Sequence, residues 1–190
     1  MQDLYITGRI YEKENYTRTP LPLGEYEDCS FLNCDFSNSD LGNMVFTRCT
    51  FSSCNLSMAR LAQTAFREVR FSECKMLGLH FEQCNPFGLS FLFEHCQLNH
   101  ATFYQAKISR TIFRQVQLKQ VDFTDCDLSQ AVFDNCDLSG ATFEHTILEK
   151  ADLRTAYHYS IHPETNRIKK AKFALPGLTG LLDRYGIIVE

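Results

Sequence analysis

Val121-Asp122-Phe123-Thr124-Asp125-Cys126-Asp127-Leu128-Ser129-Gln130-Ala131-Val132-Phe133-Asp134-Asn135-Cys136-Asp137-Leu138 returns to itself every five residues. Phe123, Leu128, Phe133 and Leu138 are large and apolar, and Cys126, Ala131 and Cys136, two residues before a large one, are small and apolar. The other three positions are mostly polar. An α-helix repeats every 3.6 residues and a strand every 2, so this spacing belongs to neither. The chain is a repeat protein.

The large residues, here called centres, run in two registers. The first carries Tyr26, Phe31, Phe36, Leu41, Phe46, Phe51, Leu56, Leu61, Phe66, Phe71, Met76 and Phe81; the second runs from Phe93 to Leu153 and is shifted by two residues. The break falls at Cys84-Asn85-Pro86-Phe87-Gly88-Leu89-Ser90-Phe91, where proline stands at a centre and has no N–H for a ladder. A bulge or short loop is expected there, acting as a hinge or, alternatively, as a binding loop. Cys84 and Phe91 keep the first register, which places the two extra residues after Phe91. If four repeats close one coil, the second block stacks phenylalanine over phenylalanine on two opposite walls and aliphatic residues on the other two.

All nine cysteines fall in the small inward position, separated by multiples of five except across the register shift. That placement makes them small hydrophobes. An odd count and the lack of any C-x-x-C pair argue against disulfide frameworks and zinc. No metal and no cofactor are expected. P-loop, G-x-G-x-x-G, G-x-S-x-G and H-E-x-x-H patterns are all missing from the 190 residues, so catalysis is not expected. His80, His95, His100 and His145 fall at outward or joint positions, while Tyr157, His158, Tyr159 and His162 form an aromatic cluster expected under a C-terminal cap. The sequence has no run of eighteen apolar residues and does not begin with a signal-like segment, which gives a cytoplasmic location and no membrane as the default expectation.

Read as A/C-D/N-L/F-x-x, the repeat resembles the pentapeptide repeat family over about residues 24 to 155. The resemblance implies an all-β solenoid, a right-handed quadrilateral β-helix with four repeats per coil. At about 4.8 Å per coil, about six to seven coils make a rod of roughly 30 Å. The expected organisation is an N-terminal cap segment over 1–25, the β-helix over 26–155 with its joint at 84–92, and a C-terminal cap and dimerisation segment over 156–190.

In the tail, Leu175, Leu178, Leu182 and Tyr185 lie at helical spacing, with Pro176 near the start and Gly186 placed as a C-cap. This predicts a helix of about ten residues, too short to stand alone and therefore packed on the open end of the solenoid. Ile187-Ile188-Val189 reads as a short strand. The tail can serve as a cap within one chain or as a joint between two. It resembles the tails of Qnr- and McbG-type proteins, and Qnr-like members dimerise head to head through this end. That implies a homodimer through Leu175, Leu178, Leu181, Leu182, Tyr185, Ile187 and Ile188.

The net charge of −4 is unevenly spread. Residues 120–153 hold eight acids, Asp122, Asp125, Asp127, Asp134, Asp137, Glu144, Glu149 and Asp152, against Lys150 alone, while 154–190 carry a net +3. The acids are either filler that keeps a rod soluble or a contact zone. Resemblance to the Qnr, McbG and MfpA group implies the second: DNA mimicry at DNA gyrase or topoisomerase IV, protecting the enzyme from quinolones or a gyrase-targeting toxin, without direct binding to nucleic acid. Duplex DNA carries one charge per about 1.7 Å, roughly 35 over ~60 Å. Two chains at −4 each fall far short of that, so mimicry would be local. Qnr proteins carry extruded loops for which this chain has room only at the joint. The alternative is a rigid, non-enzymatic interaction scaffold with another partner.

Overall fold

The computed structural model describes residues 4–188, and they form a four-walled parallel β-solenoid. Wall one begins with β1 (Leu4–Thr7), β3 (Gly24–Glu27), β5 (Val45–Thr47) and β7 (Ala65–Arg67), paired in that order. Wall two is a seven-stranded sheet: β2 (Ile10–Glu12), β4 (Ser30–Leu32), β6 (Thr50–Ser52), β8 (Val69–Ser72), β9 (Phe91–Glu94), β10 (Ile112–Arg114) and β11 (Val132–Asp134). Walls three and four are ladders of single bridges. One runs Asn15, Asp35, Asn55, Lys75, Gln97, Gln117, Asp137, Tyr157, and the other includes His80, Thr102, Asp122 and Thr142. Registers such as Phe31↔Phe51 and Phe113↔Phe133 fix twenty residues per coil.

The period dictates this shape through its corners. The residue two after most centres turns the chain with a left-handed backbone, as at Asn33 (φ 54°), Asn43 (φ 60°), Asp125 (φ 56°) and Asn135 (φ 53°). Asn and Asp visit that region more readily than other side chains. Each centre then points inward onto the centre one coil away. Tyr11, Phe31, Phe51, Phe71, Phe93, Phe113 and Phe133 make one continuous stack, with ring centroids 4.7 to 5.4 Å apart. Phe81, Phe103, Phe123 and Phe143 stack on wall four. Phenylalanine ladders therefore occupy opposite walls in the second block, as the alternation of centres requires.

The small position does more than save space. Thiols of Cys49, Cys54 and Cys136 donate to the carbonyls of Tyr26, Phe31 and Phe113, centres in the preceding coil, at 3.2, 3.3 and 3.3 Å. Thr64, Thr146 and Asn166 donate to Leu41, Phe123 and Phe143 in the same way, at 2.8, 2.8 and 2.9 Å. All nine cysteines are buried and free. Burial pushes the thiols of Cys34 to about 11 and of Cys49 and Cys136 to about 12, so they stay protonated at neutral pH.

Three sequence expectations need correction. Phe91 pairs with Val69 and Phe93 with Phe71, while Asn85 N–H still donates to Thr64 O in the earlier register. The two extra residues therefore lie between Asn85 and Phe91, not after Phe91. Pro86 cannot fill the core above Phe66, and Phe91 does so instead, touching the rings of Phe66, Phe71, Phe81 and Phe93 at 5.2 to 6.3 Å. Phe87 is left 76% exposed on a bulge of wall one, while pairing continues past it on the other three walls.

Next, the solenoid begins before residue 24. β1 and β2 pair with β3 and β4, so the segment expected as an N-terminal cap is itself the first coil, with Ile6, Tyr11, Tyr16 and Leu21 as its centres. At the other end, Ile147 and Asp152 bridge Arg167 and Lys172, so Ile168 and Phe173 continue the register beyond 155.

Last, the tail is not one helix. It forms a 3-10 helix at Leu175–Leu181 and a turn of 3-10 helix at Asp183–Tyr185, ended by Gly186 at φ 62°. The buried Tyr159 lies directly beneath it: a Cβ at Gly177 would meet Tyr159 Oη, and one at Gly180 would meet Tyr159 O. Both glycines permit a close approach that a regular helix of larger residues would not. Ile187 and Ile188 carry no ladder pairing, and Val189 lies outside the described residues.

Candidate interaction surface

The fold distributes the eight acids over all four walls. Asp122, Asp125 and Glu144 stand on wall four, where Asp122 bridges Thr102 and Thr142 and Asp125 N–H donates to Glu144 O. Asp127 and Glu149 stand on wall one, Asp134 and Asp152 on wall two, and Asp137 on wall three. Their contiguity in sequence is thus not contiguity in space.

Most of them are also matched by cations. Asp152 binds Arg154 at 2.7 Å and faces Lys172 at 3.8 Å; Glu149 binds Arg167 at 2.7 Å; Asp134 faces Arg114 at 3.5 Å; Asp125 lies 3.7 Å from His145 Nδ1. Arg184 of the tail pairs with Glu144, and the guanidinium holds that carboxyl below the usual range. Asp122 and Asp127 instead accept the N–H groups of Thr124 and Ser129, both at 2.9 Å, closing their own corners. Asp137 is the most enclosed. Burial works to raise its pKa, but donors from Ser139, His158 and Lys119 outweigh that and hold it at about 2.

Counting charges by wall separates what linear counting merges. Wall four carries Asp122, Asp125 and Glu144 with no lysine or arginine of its own, Glu164 follows in the turn at 163–165, and the tail's Arg184 reaches Glu144. Wall two balances Glu94, Asp134 and Asp152 against Arg114, Arg154 and Lys172, and wall three balances Asp137 against Lys119. Glu164, hydrogen-bonded by Tyr185 at 3.1 Å, lay outside the acid-rich run and was visible only as twenty residues on from Glu144.

The tail closes the C-terminal end over Tyr159, with Leu181 and Phe173 packed on the core. Leu178, Tyr185 and Ile187 are partly exposed, Leu182 half-buried, and Leu175 and Ile188 stand 84% and 88% exposed. Tyr185 stacks on His162, while Tyr157 and His158 pack edge to face at the surface. Among the described residues no helix is long and apolar enough to cross a membrane, and no group of three or more potential ligands is placed to hold a metal.

The pentapeptide repeat region model matches residues 25–92 and 89–157. The chain belongs to the pentapeptide repeat family. None of the curated proteins matches it by sequence. Among solved structures, it is similar to trypsin-treated QnrB1 R167E, described as a plasmid-mediated fluoroquinolone resistance protein, with TM-score 0.64 and 19% identity over 99% of this chain and 98% of that one. Full-length QnrB1 gives TM-score 0.55 at 17% identity, covering 96% of this chain and 100% of that one. HetL of the cyanobacterium Nostoc sp. strain PCC 7120, described as involved in heterocyst differentiation regulation, gives TM-score 0.50 at 14% identity, covering 90% and 84%. At such identities the likeness is one of fold.

Proposed function

We propose that the protein is a non-enzymatic binder of type II topoisomerases that occupies a DNA-binding surface as a local DNA mimic and protects the enzyme from quinolones or a gyrase-targeting toxin. The observation that carries this reading is wall four: Asp122, Asp125 and Glu144, with Glu164 in the turn that follows, present four acids against a single arginine, Arg184 of the tail on Glu144. The end-to-end likeness in fold to QnrB1 supports it. Asp134, Asp137, Glu149 and Asp152 stand on walls where bases balance or outnumber acids, and Asp127 lies among the bases of wall one. Dimerisation through the exposed apolar tail would bring two acidic walls toward the middle of a longer rod, within an intracellular complex.

The test is supercoiling by purified gyrase with a quinolone present and with this protein titrated in, repeated without the drug. Rescue at low protein concentration is expected. Neither rescue nor inhibition at any concentration would overturn the reading in favour of a rigid scaffold for another partner.

A further inference from the structure

Wall one of the same coils has the opposite sign. Lys107, Asp127, Ile147 and Arg167 form one bridged column along the rod. Beside it stand Arg110, Lys150, Lys169 and Lys170, with Lys150 N–H donating to Lys169 O at 3.0 Å. Six cations against Asp127 and Glu149 leave this wall at +4, next to wall four, where four acids meet the single arginine Arg184. Arg167 is paired with Glu149, whereas Lys107, Arg110, Lys150, Lys169 and Lys170 have no carboxylate partner among the described residues.

We propose that wall one binds the phosphate backbone of duplex DNA without reading its sequence. The rest of the wall between residues 107 and 170 is Ser109, Ser129, Gln130 and Ile147, which supplies hydroxyl and amide groups but no aromatic ring. Phosphate contacts draw on that chemistry. Single strands call for aromatic stacking platforms, which this face lacks, and four of its six cations are lysines, which bind phosphate as point charges. The acidic wall alongside repels the same duplex and so restricts its approach to wall one. This inference is independent of the topoisomerase reading and replaces the expectation of no direct contact with nucleic acid. Were both to hold, one rod would face an enzyme with wall four and the DNA on that enzyme with wall one.

The experiment is fluorescence anisotropy of a labelled duplex of about 20 bp with the full chain, over about 50 to 200 mM salt. Binding in the micromolar range is expected, equal for two unrelated sequences. The log–log salt slope is expected near −4, for four or five phosphates at about −0.9 each. Lys150→Glu with Lys169→Glu and Lys170→Glu weakens binding at least tenfold with an unchanged circular dichroism spectrum. The corresponding glutamine variant, which keeps the corners free of new charge, weakens it to a smaller extent. Absence of binding at the lowest salt, a slope shallower than −1, or full binding by the glutamine variant would overturn the proposal. Preference for polyglutamate over the duplex would overturn it in favour of an acidic protein partner.

Discussion

At Cys136 the repeat asks for two things at once, small volume and a donor for the carbonyl of Phe113. Alanine meets the first demand only. Cys136→Ala is expected to cost ~1 kcal/mol, and Cys136→Ser less, because a hydroxyl fills the same donor role at Thr64 and Thr146. Urea unfolding midpoints check this, and a serine variant weaker than the alanine one would show that the position selects only for apolar volume. Asp137 gives a pH signature. Its carboxyl is depressed to about 2 in the fold, so its contribution is present above the unfolded pKa near 4 and is lost as pH falls toward 2. Asp137→Asn is expected to lower stability by ~1–2 kcal/mol at pH 7. The difference from the parent should shrink to a small fraction by pH 2, as thermal melts across pH would register; an unchanged difference at pH 2 would assign the effect to packing.

Coils and joint obey the same logic at the scale of elements. Phe91 touches four aromatic rings where Pro86 cannot reach. Phe91→Ala is therefore expected to cost ~3–5 kcal/mol, while Phe87→Ala, on the exposed bulge, stays within about 0.5 kcal/mol. Equal losses at the two sites, by denaturant unfolding, would mean that the bulge and not the core plug holds the halves together. The repeat period made the solenoid and its ladders legible, because every interior coil needs both a large and a small inward residue. It hid the first coil, where Leu4, Arg9, Glu14 and Thr19 stand in the small position. A terminal coil has no neighbour below it, so that position need not be small. The joint was misplaced because Phe91 fits either register, as a centre in the first and as an oversized small-position residue in the second. The tail's apolar spacing matched a helix, but the need for Gly177 and Gly180 to pass over Tyr159 depends on a contact from a distant turn.

The whole molecule is a rod with charge sorted by wall, and that sorting was not legible along the chain. A run of eight acids in residues 120–153 reads as one patch, yet a twenty-residue coil deals them around four faces and adds Glu164 from beyond the run. Position on the wall, not membership of the run, should govern binding. Asp122→Lys with Asp125→Lys adds four positive charges to wall four, two for each exchange. Gyrase affinity is expected to fall at least tenfold, about 1.4 kcal/mol. Asp134→Lys with Asp152→Lys makes the same change in net charge on wall two and leaves affinity within about threefold at physiological salt, where the Debye length is ~8 Å. Surface plasmon resonance with immobilised gyrase, on variants whose melts match the parent, separates the cases. Equal losses from both pairs would point to net charge acting at long range, and a loss confined to wall two would move the contact face there. A loss confined to wall four would identify the coil's twenty-residue repeat as the device that turns scattered acids in a sequence into one directional surface.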